Sequence, residues 1–279
     1  MREGLLSFVV REVLYSGHIQ SFGAVSIVLL SAVFLGVEPT IGMALVPYLL
    51  FQAIYFHDRY SDLNTDVETN RERSEHLKSY FHVIPFIIAA LALAALLIVL
   101  MNSNAFTFII SILIIIFGLL YPKVMKNLTR FIPLFKNIYV ALVFGILVFL
   151  PFIYSGSEET QVGFAIPLFL YIFIQSVIIQ ILLDLKDRSS DAQQGLKTLA
   201  VLIGTQKAAL IAMALSIALF ISTFWYALSI DPSIPLLYLS SVGFAGNMIV
   251  LWCIFHGTKH RYILAASQYI VWLTVLILL

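Results

Sequence analysis

Long apolar runs alternate with short polar breaks along the whole of this 279-residue chain. The runs fall near residues 20–36, 39–57, 82–101, 104–121, 137–154, 163–183, 206–228, 233–255 and 262–279. Each is close to the roughly 20 apolar residues that a helix needs to cross a hydrocarbon core of about 30 Å. Backbone polar groups have no partner in lipid unless they are bonded within the segment, so the pattern predicts nine transmembrane helices. Ahead of them, MREGLLSFVVREVLYSGH mixes apolar positions with Arg2, Glu3, Arg11 and Glu12. That mixture predicts an amphipathic lead-in helix over 1–19, lying on the membrane surface. Its apolar core is too short for a signal peptide, and no small-residue cleavage site follows. With no linker or low-complexity tract, residues 1–279 read as a single transmembrane domain: an all-α polytopic membrane protein built as a nine-helix bundle.

Composition agrees with the pattern. Hydrophobic residues make up 61% of the chain and charged residues 11%, a balance that excludes an ordinary soluble domain. Cys253 is the only cysteine, so neither a disulfide framework nor a cysteine metal site is expected. Lys and Arg collect in cytoplasmic loops. With nine spans, all sixteen basic residues fall on one side, and the opposite loops (GVEP, NSN, SGSEETQ, SIDPS) hold none. The N-terminus is then cytoplasmic. The expected location is the plasma membrane, and no nucleic-acid partner is expected.

Six acids are packed into two short stretches at that cytoplasmic face. Asp58, Asp62 and Asp66 are spaced i, i+4, i+8; Asp184, Asp187 and Asp191 are spaced i, i+3, i+7. Both spacings put three carboxylates on one helix face. Such like charges repel unless a cation lies between them. Oxygen-only donors select a hard cation, and Mg²⁺ typically combines one or two carboxylates with substrate phosphates. Two facing clusters could therefore clamp Mg²⁺ ions across one diphosphate, with all six aspartates as metal ligands. Arg59, Arg71 and Arg73 accompany the first cluster, and Lys186, Arg188 and Lys197 the second. They are candidates for phosphate oxygens, although any cytoplasmic loop gathers basic residues. The loop YPKVMKNLTRFIPLFKN adds Tyr121, Lys123, Lys126, Arg130 and Lys136 without an acid. It could cap the anionic pocket or meet lipid headgroups. Asn137 and Tyr139 open the fifth span and could face the cavity. Gln175 and Gln180, within the sixth, are expected to face the protein interior.

These features together resemble the UbiA superfamily of intramembrane prenyltransferases, over nearly the whole chain. The second cluster and the segment after it (Asp184, Asp187, Asp191, Gly195, Thr198, Leu199, Val201, Gly204) follow the family's DxxDxxxD and G-x-x-T-L-x-V-x-x-G pattern. In the first motif Asp62 and Asp66 match. Asp58 stands where the family has Asn, and Arg59 where it has Asp. Asn70 and Arg73 look like the continuation, and Lys126 lies one position off the family's Tyr-x-x-x-Lys spacing. The resemblance implies a nine-helix fold and Mg²⁺-dependent transfer of a prenyl group from a polyprenyl diphosphate, through an allylic cation, to a lipophilic or aromatic acceptor. In that mechanism Asp62, Asp66, Asp184, Asp187 and Asp191 are the catalytic carboxylates. Asp58, Arg59, Asn70, Arg73, Lys126, Lys136, Asn137, Tyr139, Lys186, Arg188 and Lys197 surround the substrate. The same machinery could instead cyclise the diphosphate as a terpene cyclase. A membrane transporter is the alternative from another class, but no span carries Asp or Glu at mid-depth.

Overall fold

In the computed structural model, the residues described are 4–63, 70–156, 162–229, 234–257 and 261–277. Among them the chain is helical, with no strand. The short helix α1 (Leu5–Tyr15) leads into α2 (His18–Phe34) through a 58° bend. Next come α3 (Ile41–Ser61), the short α4 (Arg71–Lys78), α5 (Ile84–Asn102) and α6 (Ala105–Leu120). A π-helical turn at Tyr121–Met125 and α7 (Lys126–Leu128) carry the chain to α8 (Phe135–Ile146). A 3₁₀ turn joins α8 to α9 (Leu150–Ser155). The long α10 (Val162–Gln193), the single turn α11 (Leu199–Ile203), α12 (Thr205–Ser229), α13 (Ile234–Phe255) and α14 (Arg261–Val271) complete the order.

The helix ends follow from local chemistry. Thr40 and Asn104 cap α3 and α6 by accepting the amides of Met43 and Thr107, which satisfies donors that have no carbonyl within the first turn. Gly195 ends α10. Its φ of 70° lets Leu196 N–H reach back to the Asp191 carbonyl at 2.9 Å, a Schellman closure that favours glycine.

Six helices among the described residues are long and apolar enough to cross a membrane, or seven if the bent α1–α2 pair counts as one span. Their outer faces are apolar: Phe86, Leu100, Phe106, Ile221 and Trp225 are all exposed. Apolar surface on that scale marks contact with lipid. Inside, α3 packs on α2 and α5, α10 packs on α8 and α12, and α14 packs against both α13 and α2. The last contact closes the helices into a ring. A buried amide network fastens this closure: Gln175 on α10 donates 3.0 Å bonds to Asn247 on α13 and Gln268 on α14, and Asn247 donates back to Gln175 at 3.0 Å. Gln175 thus faces the interior, as its position within the sixth span predicts.

Candidate active site

The two aspartate clusters meet at one end of the ring. The first does not lie on a continuous helix face. Helix α3 stops at Ser61, and Asp62 is its C-cap, with its amide on the Asp58 carbonyl. The expectation of three carboxylates in one helical row is met at the end of α3 by Asp58 and the C-cap Asp62; Asp66 lies outside the described residues. The second cluster does lie on one helix, because α10 runs unbroken past Asp191. Asp184 and Asp191 are buried, and Asp187 is partly exposed.

Lysines meet these carboxylates. Lys126 donates to Asp62 Oδ2 at 2.6 Å. Lys136 lies 2.9 Å from Asp184 Oδ1 and 3.0 and 2.8 Å from the two Asp191 oxygens. Asn137 donates to Asp184 Oδ2 at 2.7 Å. Lys136 and Asn137 both sit in the first turn of α8, the end at which the helix dipole favours nearby negative charge. That turn is held by its surroundings. Thr129 Oγ1 accepts the Lys136 amide at 3.0 Å, and the Lys197 backbone bonds both the Thr129 carbonyl and the Leu134 amide.

Asn70, which opens the segment before α4, meets the second cluster. It donates to Asp187 Oδ1 at 3.5 Å and accepts from Lys186 Nζ at 2.6 Å. Tyr121 lies within electrostatic reach of Asp58, Asp62 and Asp184, so these carboxylates share one chamber. Arg73 is within reach of Asp58. Arg59 is directed toward the α1–α2 bend, donating to the Tyr15 carbonyl and to Gln20 Oε1, the latter at 3.2 Å. Arg188 and the Lys197 side chain are exposed.

A cavity of about 390 Å³ opens from this chamber between α3, α6 and α8. Its walls include Phe51, Ile54, Leu113, Phe117, Val143 and Phe144, and Asp58, Tyr55, Tyr121 and Tyr139 also line it. Tyr139 stacks on Tyr121 and donates to the Phe117 carbonyl at 3.2 Å, bridging α8 to α6. Among the described residues, Asp58 is the only charged one in the lining, and its Oδ1 is buried with no hydrogen-bond partner there. Buried carboxylate oxygens are seldom left so. Tyr55 was not among the predicted residues. Its position three before Asp58, on the same face of α3, was the available signal. Tyr121 stands in the sequence analysis as part of the basic loop and as the tyrosine from which the Lys126 spacing is counted, not as a residue of the cavity.

The donors are all oxygen, and an orphaned carboxylate oxygen suits a hard cation. Among the described residues, no three His, Cys, Asp or Glu side chains converge as a group that could hold a metal ion. The sixth aspartate lies outside them, and lysines stand between several of the others.

A model of the UbiA prenyltransferase family matches residues 58–276. No protein with a curated description matches the chain. Among solved structures, the apo structure of a UbiA homolog from Aeropyrum pernix K1 is 18% identical. The alignment covers 95% of this chain and 98% of that one, with a TM-score of 0.70. A UbiA homolog from Archaeoglobus fulgidus, bound to GPP and Mg²⁺, is 14% identical over 95% of this chain and 98% of that one, with a TM-score of 0.66. A digeranylgeranylglyceryl phosphate synthase is 17% identical over 98% and 96% of the two chains, with a TM-score of 0.57. At these identities the likeness is one of fold.

Proposed function

The chain belongs to the UbiA prenyltransferase family, and on that premise we propose that it moves a prenyl group from a polyprenyl diphosphate to a lipophilic or aromatic acceptor within the membrane. The observation that carries this reading is an apolar cavity lined at Asp58 by a buried carboxylate oxygen that has no partner among the described residues. The cavity suits an isoprenoid chain, and the chamber suits its diphosphate.

The proposed metal is Mg²⁺, which the Archaeoglobus homolog binds together with GPP. Asp58, Asp62, Asp184, Asp187 and Asp191 are the described members of the carboxylate set, and Asp66 is the sixth. When bound, Mg²⁺ supplies neutralisation of the charge that develops on the departing diphosphate. The chain's own residues do the rest. Arg73, near Asp58, and Lys126, on Asp62, offer donors to the remaining phosphate oxygens. Asn70, bonded to both Asp187 and Lys186, ties the start of α4 to α10. The walls of the cavity exclude water from the allylic cation left when the C1–O bond breaks. Tyr55, Tyr121 and Phe144 line the cavity and offer aromatic surface to positive charge.

The membrane arrangement belongs to the same proposal. It has nine crossings, with α2, α3 and α14 joining the six longer apolar helices; α1 lies along the surface outside the spans. The gathering of basic residues beside both clusters supports a cytoplasmic site at the plasma membrane.

The test uses the purified chain in liposomes with Mg²⁺, a radiolabelled prenyl diphosphate and a membrane lipid extract as the source of acceptor. Label is expected in a new lipid, and removal of Mg²⁺ by EDTA stops its formation. Asp62→Ala is expected to reduce transfer at least about a hundredfold, in the range seen when one transition-state electrostatic contact is removed, while the melting curve keeps its shape. A cyclic hydrocarbon formed from the diphosphate alone would replace transfer by cyclisation. Ion flux without diphosphate release would remove the enzyme reading altogether.

A further inference from the structure

The lead-in helix α1 has two faces of different character. Phe8, Glu12 and Tyr15 recur at helical spacing and share one face. That face meets α4 and the turn after it in reverse chain order. The Phe8 ring lies 6.0 Å from that of Tyr80 and 5.1 Å from that of His76. Glu12 accepts from His76 Nε2 at 2.8 Å and from the Tyr80 hydroxyl at 2.7 Å. Tyr15 donates to Glu72. Leu5, Leu6, Val9, Val10 and Val13 fall on the other arc of α1 and are exposed, the face that a helix lying on a membrane surface gives to lipid.

His76 is 4% exposed, so water does not replace a partner lost there. Helix α4 is too short, at eight residues, to be stable alone, and its packing supplies its position. Its start is tied to α10 through Asn70, and Leu77 packs with Phe56, Leu63 and Ile84. One turn before His76 it carries Arg73, which lies within electrostatic reach of Asp58. Rotation of α4 about its own axis would carry Arg73 away from the cavity. The bonds to α1 oppose that rotation.

We propose that α1 is a membrane-surface strap on α4, and that Glu12 is a positioning residue for the diphosphate, acting through His76 and Tyr80 on the placement of Arg73. This rests on the diphosphate reading above and adds to it a residue from outside both aspartate clusters. Glu12 itself touches no substrate.

The experiment makes two measurements on the full chain in lipid nanodiscs. One is the hydrogen-exchange protection of the α4 amides. The other is the Kd of inorganic pyrophosphate in excess Mg²⁺, by calorimetry. The proteins are wild type, Glu12→Gln, Arg73→Ala and the double variant. Glu12→Gln is expected to lower α4 protection and to weaken pyrophosphate binding by about tenfold, the scale of one hydrogen bond to a charged group. In the Arg73→Ala background the same change is expected to weaken binding by less than about twofold, because the group it positions is gone. Should Glu12→Gln not fold, Tyr80→Phe, which removes one bond to Glu12, takes its place in the cycle with the same signs expected. Unchanged α4 protection, an unchanged Kd, or an undiminished loss in the Arg73→Ala background overturns the proposal. The diphosphate reading fails differently: wild type would bind no pyrophosphate, while α4 protection would still fall in Glu12→Gln.

Discussion

Gly118→Ala tests whether the close approach of α6 to α3 shapes the apolar cavity. A Cβ at Gly118 would lie 2.4 Å from both Ile54 Cδ1 and Cγ1 and 3.1 Å from Cγ2. Ordinary van der Waals contact begins near 3.4 Å, so the isoleucine must move by about an ångström or the helices must part. Two effects oppose one another. Overpacking of this kind costs about 1–3 kcal/mol, while replacing glycine by alanine inside a helix returns up to about 1 kcal/mol of backbone preference. The clash involves two side-chain carbons, not one flexible tip, so it should win, with a net loss of about 1–2 kcal/mol. Ile54→Val leaves Cγ1-level crowding in place, whereas Ile54→Ala removes all three clashing atoms. The double variant should therefore be more stable than the sum of the single changes by about 1 kcal/mol, beyond the ~0.5 kcal/mol within which independent sites add. Both residues line the cavity, so Gly118→Ala alone should also raise KM for a long prenyl diphosphate. The assay is denaturant unfolding in detergent micelles for all four members of the cycle, with KM measured alongside. A Gly118→Ala protein as stable as wild type, or a coupling below ~0.5 kcal/mol, would refute the packing argument.

Two other perturbations address the ring closure and the lead-in helix. Gln175→Leu removes the three amide bonds that join α10, α13 and α14. At about 0.6 kcal/mol for each interhelical bond in a membrane, and with two amides left short of partners, a loss of about 2–4 kcal/mol is expected in unfolding; a change below ~0.5 kcal/mol would show that the network adds nothing. Glu12 on α1 accepts from His76 at 2.8 Å and from Tyr80 at 2.7 Å. Burial works to raise its carboxyl, but hydrogen bonds from His18, Tyr80, His76 and Ser16 outweigh it and hold the group down at about 2. A lowered carboxylate contributes its stability in full above its ordinary value near 4.5 and loses it as pH falls from there toward 2. The protection factors of the α1 amides, measured against the intrinsic exchange rate at each pH, should therefore fall over that window in wild type, and much less in Glu12→Gln. The same loss of protection in both proteins would place the cause elsewhere.

The positions of the long apolar helices were readable along the chain, because each depends on local composition. A run of about 20 apolar residues has few alternatives to a helix in lipid, and an aspartate cluster beside such a run has no apolar environment to join. The second motif was legible down to Gly195, since ending a helix with a left-handed residue is a local matter. Spacing misled where the local structure changed within the motif. The i, i+4, i+8 row at Asp58, Asp62 and Asp66 presumed a helix that stops at Ser61. Partner choice was beyond any reading of spacing. Lys136 lies 48 and 55 positions from Asp184 and Asp191 (184 − 136 and 191 − 136), and only the packing of α8 on α10 brings them together. Arg59 and Asp58 are neighbours in sequence, yet one is directed to the α1–α2 bend and the other lines the cavity. Local sequence sets what each segment prefers to be. Which charges neutralise which, and where an oxygen is left without a partner, depends on long-range contacts that exist only once the ring has closed.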